Sequence, residues 1–172
     1  METSNAKGSA RLLHLSAPGS VLATGEQFPA AELERLLHGG GRRPVLLYPT
    51  LPGERALGVP VPPPLEPSLL ADPAALRLVV LDGTWRKSRK MLYLNPDLHL
   101  LPRLPLRELP ASHYLIRKAH APEQLSTLEA ACHALAQLEG ELAAVGPLLA
   151  AFDRFVARFQ STKGRIGATA HD

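Results

Sequence analysis

Four consecutive residues, Asp82-Gly83-Thr84-Trp85, combine side-chain types that a ligand-binding or group-transfer site needs. Asp82 brings a carboxylate able to orient a ligand or take a proton. Trp85, the only Trp of the chain, brings a flat surface on which a base or a sulfonium-bearing ligand can stack. Gly83 permits a tight turn and close approach of a ligand to backbone. The plainer alternative makes Asp82 or Thr84 the cap of the next helix and Trp85 a core residue. The four residues alone leave both open.

Charge supplies the second signal. Arg86, Lys87, Arg89 and Lys90 follow at once, and spacings of three and four gather Arg86, Arg89 and Lys90 on one helix side, expected to face away from Trp85 and Leu92. The formal net charge is only +3, but residues 86–118 carry eight Lys/Arg against two Asp/Glu, a local excess of +6. Such an excess suits a polyanion, with Arg103, Arg107, Arg117 and Lys118 as further members, unless the helix face is merely solvated.

These residues must be positioned by an α/β framework. The apolar runs 44–49 and 77–82 are too short for helices and read as buried strands of a parallel sheet covered on both faces. The second runs directly into a helix over 84–94, stopped by Asn95-Pro96, so the Asp82 turn falls at the carboxyl end of a strand, where open α/β sheets bind ligands. Residues 4–16 form an apolar-patterned stretch, and 28–38 a helix ended by Gly39-Gly40-Gly41. Residues 20–23, 99–101 and 114–116 read as short strands, and the proline-rich span 49–67 as a long irregular loop. Ser126-Thr127-Leu128-Glu129 has the spacing of a capping box and opens a helix with Leu128, Cys132, Leu135 and Leu138 as its apolar stripe. A last helix near 141–160 is expected to bury Leu142, Val145, Leu148, Leu149, Phe152, Phe155 and Phe159, ahead of a frayed tail from 161 to 172.

Composition closes off other classes. With 172 residues, 45% hydrophobic and 20% charged, the chain has material for one cored domain. The single cysteine, Cys132, cannot form an internal disulfide, and on its apolar stripe it reads as a core residue. The seven histidines show no metal-ligand spacing; His113 and His120 flank Arg117-Lys118 and can reach the same phosphates. No apolar run is long enough to span a bilayer, and a cytoplasmic location is the default expectation.

The run Leu81-Asp82-Gly83-Thr84-Trp85-Arg86-Lys87-Ser88-Arg89-Lys90-Met91, followed by Asn95-Pro96 and Leu101-Pro102-Arg103, resembles the signature of the DTW-domain family. So do Tyr114-Leu115-Ile116-Arg117-Lys118, Leu125-Ser126-Thr127-Leu128-Glu129-Ala130, the early Thr3-Ser4-Asn5 and the strand Leu46-Leu47-Tyr48-Pro49, all in the family's order. The resemblance spans nearly the whole chain. It implies a tRNA-uridine aminocarboxypropyltransferase, which moves the 3-amino-3-carboxypropyl group of S-adenosylmethionine to uridine N3 and releases 5′-methylthioadenosine. It also implies a SPOUT-like α/β sheet with a C-terminal trefoil knot, an arrangement that no local pattern announces.

Carried onto this chain, the resemblance implies Asp82 and Trp85 as catalytic residues. Thr50, Leu81, Gly83, Thr84, Leu115, Ile116, Leu125, Ser126 and Thr127 are the expected cosubstrate contacts, and Ser4, Asn5, Lys7, Arg86, Arg89, Lys90, Arg117 and Lys118 the expected tRNA contacts. Each leucine can equally be plain core, and Ser126 and Thr127 can equally serve only the helix start. Many family members carry an N-terminal cysteine-rich zinc knuckle and a first strand before the Ser-Asn motif. Here Met1 and Glu2 immediately precede Thr3-Ser4-Asn5, so neither is expected, and no zinc with them. Residues 1–160 are expected to form a single DTW domain. A methyltransferase of the same fold and a noncatalytic RNA-binding module are the competing readings.

Overall fold

The computed structural model describes residues 6–49, 60–107 and 125–167. Its centre is a three-stranded, wholly parallel sheet of β1 (Arg43–Leu47), β2 (Leu76–Val79) and β3 (Arg103–Leu104) in the order β2-β1-β3. Strand β1 is buried on both faces because its side chains alternate between two cores. Leu46 and Tyr48 join Leu33, Leu37, Leu92, Leu98 and Leu101 on one side. Val45 joins Leu76, Leu104 and Ala134 on the other. Pro44 is tolerated in this strand because β3 pairs only from Leu46 onward, so at Pro44 the strand has a neighbour on one side alone.

Helix α2 (Ala30–His38) supplies Leu33 and Leu37 to the first core and stops at the glycines, of which Gly40 and Gly41 take φ of 78° and 73°, open to residues without Cβ. The helix starts two residues later than position 28: a residue before proline avoids helical backbone, and the Phe28 N–H instead donates to Asn95 Oδ1 at 3.0 Å. Arg77 on β2 reaches across to donate to the carbonyls of Leu36 (2.6 Å), Leu37 (3.1 Å) and Gly39, satisfying the end of α2 and tying it to the sheet. The chain crosses from β1 to β2 through a short helix, α3 (Pro67–Leu70). Of the proline-rich span, 60–66 has no regular structure, and the preceding positions 50–59 lie outside the described residues.

The strand expected over 99–101 is instead a 3-10 helix, Pro96–Leu100. Its buried Leu98 and the buried Leu101 just after it lie three apart, a helical rather than a two-residue period. The expected strand at 20–23 is absent, and Val21 and Leu22 are exposed. A lone strand needs a neighbour to take up its backbone groups, and the sheet pairs only β1, β2 and β3 among the described residues. The strand expected over 77–82 ends at Val79, which leaves residues 80–82 as a short lead into α4 (Trp85–Leu94). The expected strand at 114–116 lies outside the described residues, as does the rest of 108–124, which the chain follows between β3 and the C-terminal helices.

Helix α5 (Thr127–Glu139) is buried on two sides. Ala134 packs on the sheet, while Leu128 and Cys132 meet Phe152, with Leu12 and Leu13 of α1 (Ala6–Ser16) and Val145, Leu148 and Leu149 around them. Its buried set therefore includes Ala131 and Ala134, and Leu135 is only half-buried. Helix α6 (Gly146–Gly167) extends beyond residue 160, where a frayed tail was expected. Phe155, expected in the core, is 45% exposed, because the apolar cluster of α1, α5 and α6 closes at Phe152.

Cys132 is fully buried, and that burial, helped by the Glu129 carboxylate, pushes its thiol from 9.0 up to about 11. A disulfide reagent at mildly alkaline pH is expected to label native protein only as fast as it unfolds. The raised value also means that Cys132 contributes stability in full below pH 9.0, lost as pH climbs through about 11. Rapid stoichiometric labelling of folded protein would contradict this placement of α5.

Candidate functional site

The carboxyl ends of the strands form one edge of the sheet, and strand order reverses there between β1 and β3, the position where open α/β sheets form a crevice. Three segments meet at this edge: Tyr48-Pro49 after β1, residues 80–85 after β2, and the start of α5.

The start of α4 resolves the two readings of its turn. Thr84 caps the helix, its side chain accepting from the Lys87 N–H at 3.3 Å. Asp82 is therefore released from capping. Its Oδ1 accepts a 2.6 Å hydrogen bond from the Thr127 hydroxyl, 45 residues away in the chain. Gly83 sits close to the first turn of α4: a Cβ there would lie 3.0 Å from Lys87 Cβ, tighter than an ordinary contact.

Trp85 is not core. Half its surface (51%) is exposed, and its ring meets the buried Tyr48 ring edge-on, with centroids 5.7 Å apart and planes at 74°. Behind Tyr48 lies Arg103, only 4% exposed, with its guanidinium carbon 5.3 Å from the ring centroid and Nη1 donating to the Pro49 carbonyl at 3.1 Å. The expectation that Arg103 belongs to a basic surface is thus overturned: β3 carries it inward, beside Leu46. Sequence reasoning missed Tyr48 and Arg103 as supports of the site. The signal was present in Arg103, a lone cation between Leu101 and Leu104, both buried.

Ser126 and Glu129 form a complete capping box. The Ser126 N–H donates to Glu129 Oε2 at 2.8 Å, and the Glu129 N–H to Ser126 Oγ at 3.3 Å. The box fixes Thr127 in the first turn of α5, where its hydroxyl reaches Asp82. Leu125 is half-buried just ahead of it, and Leu81 packs against the core of Leu33, Leu92 and Tyr48. Of the other expected contacts, Ser4, Asn5, Thr50, Leu115, Ile116, Arg117 and Lys118 lie outside the described residues, and Lys7 falls on α1.

Arg86, Arg89 and Lys90 are exposed as expected, but so is half of Trp85, whose ring meets Tyr48 at the edge of the packed side of α4. Neither arginine forms an ion pair among the described residues. Lys90 is held by Glu26 through an Nζ–Oε2 contact, and that hydrogen bond and charge keep the Glu26 carboxyl below its ordinary value. Among the described residues there is no cluster of three His, Cys, Asp or Glu able to hold a metal ion, and no helix long and apolar enough to cross a membrane.

A three-stranded parallel sheet with a carboxylate, a hydroxyl and a half-exposed indole at its carboxyl edge, next to a basic helix without acidic residues, makes this a parallel α/β protein with a candidate site at the strand ends. The chain belongs to the DTW-domain family, whose pattern matches residues 1–160. It is 33% identical over 127 residues to a Drosophila melanogaster protein named tRNA-uridine aminocarboxypropyltransferase 2, an alignment covering 71% of this chain and 46% of that protein. The chain thus matches about half the length of this curated relative. No solved structure matches it significantly.

Proposed function

We propose that this chain transfers the 3-amino-3-carboxypropyl group of S-adenosylmethionine to N3 of a uridine in tRNA. The observation that carries the reading is the Asp82–Thr127 hydrogen bond beside the half-exposed Trp85, all within stretches that resemble the family's signature. The relative's name supplies the reaction class.

In this reading the uridine N3 attacks the γ-carbon of the methionine moiety. The N3–C bond forms as the C–S bond breaks, the sulfur keeps the electron pair, and neutral 5′-methylthioadenosine leaves. The N3 proton passes to the Asp82 carboxylate. Thr127 donates to Oδ1 and so orients the carboxylate with Oδ2 as the oxygen that receives the proton. The sulfonium is its own leaving group, so the step needs no metal, and alignment of N3 with the γ-carbon supplies much of the rate. In this reading Leu81, Leu125 and the backbone of Gly83 and Ser126 line the cosubstrate side. Trp85 offers its open face to the base. The same reading carries a SPOUT-like knotted C-terminal part.

Nucleoside mass spectrometry after incubation with tRNA and S-adenosylmethionine is the direct test. Aminocarboxypropyl-uridine with equimolar methylthioadenosine is the expected result. S-adenosylhomocysteine would make the protein a methyltransferase. Calorimetry is expected to show cosubstrate binding, and its absence in well-folded protein, with no product, would leave only an RNA-binding module.

A further inference from the structure

Tyr93 is 81% exposed, the most exposed of the large hydrophobic residues described, although it sits in the last turn of a regular helix. Helical spacing places it one turn beyond Arg89 and two beyond Arg86, on the same open stripe, while Trp85, half exposed, starts the helix at the edge of that stripe, on the side of Ser88 and Leu92. Eight residues at the helical rise separate the two aromatics by roughly 12 Å along the axis, a span that a short stretch of unpaired strand can bridge. The helix between them contains Arg86, Lys87, Arg89 and Lys90 and no acidic residue. The core does not account for Tyr93: α4 packs through Ser88 and Leu92, on its opposite side.

We propose that Tyr93 is a stacking platform for an unpaired RNA base a short stretch of strand away from the one presented to Trp85. The inference rests on the function proposed above and specifies its substrate as single-stranded loop RNA. Uridine N3 lies on the Watson–Crick edge, so only an unpaired uridine can react there. Its loop neighbours have then lost stacking partners, and aromatic side chains between arginines are the surface such bases take up. Arg86 and Arg89 hold the intervening phosphates and set the register between the two rings.

Stacking and charge differ in their salt dependence, which makes the proposal testable. Binding of unfractionated tRNA and of an oligouridine of about ten nucleotides is measured by fluorescence anisotropy over a salt series. Tyr93→Ala is expected to weaken both by about fivefold to a hundredfold, the range for one lost base–aromatic stack. The slope of log affinity against log salt should not change, because no phosphate contact is lost. Tyr93→Phe should bind as the native protein does. Wild-type affinity in Tyr93→Ala, an equal loss in Tyr93→Phe, a flattened salt slope, or an equal loss of affinity for fully duplex RNA would each overturn the proposal. Because Tyr93 is so exposed, its replacement leaves the core intact. Absence of aminocarboxypropyl product with native protein would instead defeat the proposed function, while the binding comparison would still decide the role of Tyr93.

Discussion

Asp82→Asn is expected to slow aminocarboxypropyl transfer by about 100-fold or more, with cosubstrate affinity changed far less. Asparagine keeps the size of the side chain and, through its carbonyl oxygen, can still accept from the Thr127 hydroxyl. It cannot take the N3 proton. A loss confined to turnover therefore separates proton acceptance from ligand placement. Thr127→Val tests the other end of the same contact. It removes the donor to Oδ1 while preserving shape, and a smaller loss is expected, because the carboxylate remains but is less well aimed. If Thr127 works only through Asp82, adding Thr127→Val to Asp82→Asn should cost little more than Asp82→Asn alone. Transfer by Asp82→Asn at close to the native rate would reduce the carboxylate to a positioning role.

The second large effect concerns tRNA. Replacing Arg86 and Arg89 together by Gln is expected to flatten the salt dependence of tRNA binding by roughly 0.7–0.9 per lost phosphate contact. Affinity at low salt should fall with it. Both guanidinium groups stand on the open side of α4 without an ion-pair partner among the described residues, so their charge is available. Lys90→Gln is expected to change the slope least of the three, because Lys90 is already engaged by Glu26. Because weaker binding lowers occupancy, the double variant should also slow transfer at limiting tRNA. Unchanged affinity together with an unchanged slope would show that this face is only solvated.

How far these residues were legible in advance depends on the range of the interaction that places each one. The capping box at Ser126, the stop of α2 at its glycines and the start of α4 after Gly83 were all readable. Each is decided by partners within about one helical turn, so the local sequence contains both halves of the interaction. The apolar runs of β1 and β2 were readable too, because a strand covered on both faces has no polar alternation to hide it. The misread strand at 99–101 shows the limit, since a three-residue apolar stretch fits a strand and a 3-10 turn equally well.

Sequence by itself therefore determined the chemistry on offer: a carboxylate, an indole and a block of cations around one strand-to-helix turn. Tertiary structure alone decided where each of them lies relative to the others. Asp82 and Thr127 are 45 residues apart, and only the approach of α5 to the end of β2 joins them. Trp85 has the composition of a core residue and is half exposed, because Tyr48 and Arg103 fill the space behind it. Arg103 counts as one more cation in a basic segment until β3 pairs with β1 and turns it inward. Burial and pairing at such separations depend on which surfaces the whole chain brings together, and no window of neighbouring residues holds that information.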